Sequence, residues 1–90
     1  MIKKITVTFF SDASHGWMRV PRKLVEQLGI ADKVSVHSYE KADKVFLEED
    51  CDAPLALRAM DAQKIKYNIV DKVSSKSSRI RSYSPYIKRS

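Results

Sequence analysis

Apolar and polar side chains alternate strictly near the start of the chain. Ile5, Val7 and Phe9 stand against Lys4, Thr6 and Thr8, which predicts a half-buried strand over residues 3–10. Residues 11–16 form a polar loop rich in side chains that bond their own backbone, and residues 17–20 return as a second strand. Leu24, Val25 and Leu28 then recur at helical spacing, with Arg22, Lys23, Glu26 and Gln27 free to face water. Pro21 suits the first helical position, where a missing N–H costs nothing. Gly29 supplies the left-handed residue that stops a helix, and Ile30 can fold back onto Val25.

Beyond the glycine, Val34 and Val36 alternate with Ser35 and His37. Val45 and Leu47 follow a turn at residues 40–43, and together these read as a hairpin with one buried face. The acidic run 48–52 stops the hairpin and opens a second helix, with Asp52 as its N-cap and Pro54 in its first turn. Leu55, Ala56, Ala59, Met60 and Ala62 give that helix an apolar face opposite Arg58, Asp61 and Lys64, so it is expected over residues 53–64. Residues 66–73 alternate more weakly and read as an edge strand. The expected fold is α+β, a small single domain of ββαββαβ order with a mostly antiparallel sheet and two short helices. Residues 1–73 make the globular part, and 74–90 a basic tail that is either flexible or docked on the body or a partner.

Composition sharpens this picture in one respect. The net charge is +6, and residues 74–90 carry Lys76, Arg79, Arg81, Lys88 and Arg89 with no acid, so five of those six charges lie in the tail. Seven serines there argue for little fixed structure, yet Ile80, Tyr83, Tyr86 and Ile87 are too apolar for a linker. Deleting the tail is expected to leave the body folded. No run approaches the roughly 20 apolar residues that span a bilayer, and no signal-peptide pattern precedes the first strand. One cysteine cannot close an internal disulfide, which fits a reducing cytoplasm. No membrane partner is expected.

The candidate chemistry is sparse. Asp12 and His15 are the one pair that resembles an acid–base couple; the plainer reading has His15 bonding within its turn and His37 on a strand surface. Cys51 lies between Asp50 and Asp52, whose charge disfavours a thiolate, and is expected as a small buried residue at the strand–helix junction. Residues 48–52 lack the glycine and alternating ligands of a calcium loop. One cysteine with two distant histidines is no zinc pattern, so no metal and no cofactor is expected. With only two glycines there is no phosphate loop, and no enzyme is expected. Binding is better supported. Lys76, Arg79, Arg81, Tyr83, Tyr86, Lys88 and Arg89 of the tail, with His15 and Trp17 of the loop, are the candidate partner contacts. Arg19, Arg22 and Lys23 cluster at a strand–helix junction and are the candidates for nucleic acid.

Two resemblances rest on these segments. The run MRVPRKLVEQLGIADKVSVHSYEKADKVFLEE, within residues 17–49, resembles the swapped-hairpin domain of AbrB-type transcription regulators, which implies a DNA-binding dimer using Arg19, Arg22 and Lys23. Over nearly the whole chain, FFSDASHGWMRVP, LGIADKVSVHSY, VFLEEDCD and SSRIRSY resemble small uncharacterised proteins of phages and mobile elements. That likeness implies the cytoplasm of an infected or element-carrying bacterial cell. The expected function is a non-enzymatic phage-type accessory protein that binds a host or rival-element protein, such as a repressor or defence component, and modulates it. The alternative is the AbrB-like DNA-binding regulator. Protein is favoured over nucleic acid as the partner, and a homodimer is a further way to cover the free sheet edge.

Overall fold

The alternation over residues 5–9 becomes β1, Lys4–Ser11, which turns back into β2, Gly16–Pro21. A computed structural model describes residues 4–74 and 79–87, the side chain of Arg79 excepted. After β2 come α1 (Arg22–Gln27), β3 (Tyr39–Lys41), β4 (Lys44–Glu48), α2 (Asp52–Ala62) and β5 (Lys66–Val73). A 3-10 turn, Arg79–Ser82, and a two-residue strand β6, Ser84–Pro85, complete the order. The chain therefore continues past the expected ββαββαβ succession. One six-stranded sheet results, ordered β5-β1-β2-β4-β3-β6. All its pairings are antiparallel except β1 with β5, because α2 carries the chain from the middle of the sheet to its far edge.

Local chemistry explains the short first helix. Pro21 lies just before it in an extended conformation (φ −63°, ψ 143°), so the helix begins one residue later than the proline pattern suggests. At the other end the Gly29 N–H donates to the Glu26 carbonyl (3.0 Å) and the Ile30 N–H to the Val25 carbonyl (3.3 Å). This is the paired cap that a left-handed glycine allows, and Gly29 has φ +74°. A Cβ at Gly29 would meet nothing within 4 Å, so Gly29→Ala costs only the conformational penalty. Chemical denaturation should register a loss of roughly 1–2 kcal/mol.

Both faces of the sheet are covered. On one, Val7, Met18, Val20, Val45 and Leu47 meet Leu24, Val25 and Leu28 of α1, Ala53, Ala56 and Met60 of α2, and Tyr86. Full burial of each large aliphatic side chain here contributes about 1.5–3 kcal/mol. On the other, Trp17, Phe46 and Ile80 form a second cluster with Phe10, Tyr39 and Tyr83 around it. Phe46 and Tyr83 have ring centroids 5.1 Å apart. The hairpin thus buries both of its faces, not one, because the 3-10 turn lies against the side opposite the helices.

Four expectations about local structure are corrected. Residues 34–37 are not a strand: Val36 is 75% exposed, and only Tyr39–Lys41 pairs with β4. The loop is held instead by Asp52, whose carboxylate accepts the Ser35 N–H (3.0 Å), the Ser35 hydroxyl (2.7 Å) and the Ser38 hydroxyl (2.5 Å). Asp52 is therefore no N-cap; Cys51 holds that place without a side-chain cap bond. Cys51 is exposed, not a buried spacer. Ala62, placed on the apolar face of the second helix, is exposed at its end.

The tail segment within the described residues belongs to the body. β6 pairs with β3, and the Tyr86 N–H donates to the Ser38 carbonyl (2.8 Å). The Tyr86 hydroxyl donates to the Ala31 carbonyl (2.7 Å), and the Ile87 N–H to Glu40 (2.9 Å). From the 3-10 turn on one face the chain rounds the β3 edge and inserts Tyr86 into the core on the other. Apolar spacing at Ile80, Tyr83 and Tyr86 reports this wrapping, which the serine content obscures.

Candidate functional site

The loop between β1 and β2 is organised by Asp12. Its carboxylate accepts the backbone N–H groups of Ser14 (3.0 Å) and His15 (2.9 Å) and takes the Arg81 guanidinium through two bonds of 2.8 and 3.0 Å. Arg81 also donates to the Ser14 hydroxyl and lies over the Trp17 ring, 5.3 Å from its centroid. Hydrogen bonding to Asp12 holds the guanidinium above its ordinary pKa, so it stays charged. Asp12 meets His15 at the backbone, not the ring, and its carboxylate is committed to Arg81. An Asp12–His15 acid–base couple is not assembled.

Where the other expected site residues land is uneven. Trp17, offered as a loop contact for a partner, is 2% exposed and forms the floor of the second apolar cluster. Tyr86, offered as a tail contact, is 6% exposed and part of the main core. Tyr83 is half-buried on Phe46, with the Lys41 ammonium 4.8 Å from its ring centroid. Lys76, Lys88, Arg89 and the side chain of Arg79 lie outside the described residues. Arg22, expected to face water, is instead paired with Glu40 (2.8 Å) and lies over the Tyr86 ring. Arg19 sits on the face opposite α1, over Phe10 and 3.4 Å from the Thr8 hydroxyl. Lys23 alone of the three is an exposed helix residue. The trio does not converge into one basic surface.

Among the described residues, two places stand out as open to a ligand or partner. The first is a cavity of about 390 Å³ lined by both histidines, Cys51, Glu48 and Arg81, with Trp17 at its floor. Desolvation, then the charges of Glu48, Asp52 and Asp50, hold the Cys51 thiol above its ordinary pKa, so it is a thiol and not a thiolate at neutral pH. Sequence separation hid this convergence: His15 and Glu48 meet only because Trp17 pairs with Glu48 across β2 and β4.

The second place is the outer edge of β5. Its eight residues pair with β1 on one side, and no strand among the described residues pairs with the other. Ile69, Val70 and Val73 are exposed there, Val73 at 80%, and neighbouring side chains on the strand fall on opposite faces of the sheet. Lys4, Lys64 and Lys66 surround an open recess at one end, next to Tyr67. The opposite edge of the sheet is blunted, since β6 has two residues and one is a proline. No helix among the described residues is long and apolar enough to cross a membrane. No family model, curated protein or solved structure matches this chain.

Proposed function

We propose that this protein is a non-enzymatic accessory protein that binds another protein by adding a strand of the partner to the free edge of β5. The asymmetry of the sheet carries the reading: one edge ends in a two-residue proline strand, and at the other the outer side of the eight-residue β5 has no neighbour among the described residues. A long exposed edge is a template for another chain, and natural proteins blunt such edges unless they use them. Lys66 and Lys72 near the ends guard against indiscriminate pairing, while Ile69 and Val70 offer an apolar centre. With Lys4 and Lys64 nearby, the favoured partner segment is extended, apolar in alternation and acidic in between. The phage or mobile-element setting rests on the segment resemblance alone.

Val70→Lys is the test. Being exposed, the change should alter folding stability by no more than about 0.5 kcal/mol. It should weaken partner capture from bacterial lysate by tenfold or more, measured against wild type by quantitative mass spectrometry. If the partner is a second copy of this chain, sedimentation will show a dimer that the same substitution dissociates. Equal capture by both proteins, with both monomeric, would refute the proposal. The rival, DNA binding through Arg19, Arg22 and Lys23, would instead appear as mobility shifts that fall steeply with salt and ignore Val70→Lys.

A further inference from the structure

The chain carries +6 overall, yet Glu48, Glu49 and Asp50 place three consecutive carboxylates at the end of β4. Among the described residues none of the three is in an ion pair; the salt bridges there are Arg22–Glu40 and Arg81–Asp12. His15 stands beside two of them: one donor atom each from His15, Glu48 and Glu49 lies within 4.8 Å of the others.

The Glu48 side chain is held by hydrogen bonds, and Glu49 and His15 are anchored through their backbones. One oxygen of Glu48 accepts the backbone N–H groups of Asp50 (3.0 Å) and Cys51 (2.9 Å), which fixes the carboxylate as outer hydrogen bonds fix metal-ligating groups. Glu49 is anchored by its N–H to the Gly16 carbonyl (3.0 Å), and its carboxylate lies over that glycine. A Cβ at Gly16 would come to 3.0 Å from the Glu49 oxygen and 2.5 Å from the Phe9 ring, so the absence of a side chain there makes the room. His15 is held by the Asp12-organised loop, its ring 6.1 Å from that of Trp17.

We propose that His15, Glu48 and Glu49 bind a divalent transition-metal ion of the Zn²⁺ class. One imidazole and two carboxylates balance a divalent charge and suit zinc, cobalt or manganese, whereas the imidazole counts against calcium. Donors on a tetrahedral ion lie about 3.4 Å apart, so side-chain rotation of about 1 Å closes the site without moving the strands. Three protein ligands leave at least one coordination position. His15 and Glu48 also line the 390 Å³ cavity, which His37 and Cys51 share.

The experiment uses the full chain without an affinity tag, stripped with a chelator and titrated with Zn²⁺ against a competing chromophoric chelator. Co²⁺ serves as a second probe, its visible bands reporting coordination. The expected result is one ion per chain, with binding weakened about 10- to 100-fold by His15→Ala and by Glu49→Gln at an unchanged unfolding midpoint. His15→Asn is the alternative if the alanine variant does not fold. Absence of stoichiometric binding by the wild type would overturn the proposal. So would affinity that survives His15→Ala, or that is lost with His37→Ala and Cys51→Ser but not with His15→Ala.

Discussion

Truncation after Ser74 is expected to bring the protein to the edge of unfolding. The removed segment includes Ile80, buried against Trp17 and Phe46, and Tyr86, buried in the main core. Restoring an Ile80-sized side chain to water costs about 1.5–3 kcal/mol. Losing a buried aromatic ring costs about 3–5 kcal/mol. Their sum is comparable with the whole stability of a small domain, about 5–15 kcal/mol. Urea titration followed by far-UV circular dichroism should show a transition displaced far toward zero denaturant or lost altogether. Graded substitutions separate the contributions. Tyr86→Phe removes only the bond to the Ala31 carbonyl and should cost about 1 kcal/mol, whereas Tyr86→Ala should cost the full aromatic amount. A truncated chain that unfolds cooperatively at the wild-type midpoint would return residues 79–87 to the status of a dispensable tail.

Asp52→Ala should have the second large effect. The carboxylate is 2% exposed and gathers the Ser35 N–H and the hydroxyls of Ser35 and Ser38. Ser38 in turn accepts the Glu48 N–H at 2.9 Å, so one buried group ties the loop after α1 to both α2 and β4. Alanine would leave these donors without an acceptor, each costing about 1–3 kcal/mol when buried. The total loss should be about 3–5 kcal/mol, read as a fall in the urea midpoint with an unchanged slope. Asp52→Asn keeps the volume and one acceptor oxygen, and should fall between wild type and alanine. A neutral Asp52→Ala would show that water replaces the carboxylate at little cost.

Local patterns announced most of the framework. Strict alternation over residues 5–9, the Leu24–Val25–Leu28 stripe closed by Gly29, and the weak alternation of residues 66–73 at an edge are all present in the structure. The misreadings arose where tertiary contacts override local pattern. Val34 and Val36 mimic a strand, but Asp52 binds Ser35 and bends that segment into a turn. Asp52 itself looks like a helix cap because acids favour that position, yet three hydrogen bonds to the loop outweigh one to the helix end. Serine-rich composition argued for a loose tail, while its four apolar residues argued against one; burial of Ile80 and Tyr86 decides between them.

The candidate sites divide in the same way. The β5 edge was legible because weak alternation over residues 66–73 marks an edge strand. The cluster of His15, Glu48 and Glu49 was not, since it depends on β2 pairing with β4 while β3 lies outside them. A polar loop ending in His-Gly and an acidic run ending a strand were each visible in the sequence. Their proximity follows from register, which no local pattern carries.

Amide hydrogen exchange of the β5 strand, with and without the captured partner, tests strand addition most directly. Protection of the outward amides among residues 66–73 on complex formation, absent with Val70→Lys, is the expected result. Unchanged exchange along β5, with protection confined to the loop at residues 12–17 or to the start of α1, would contradict it.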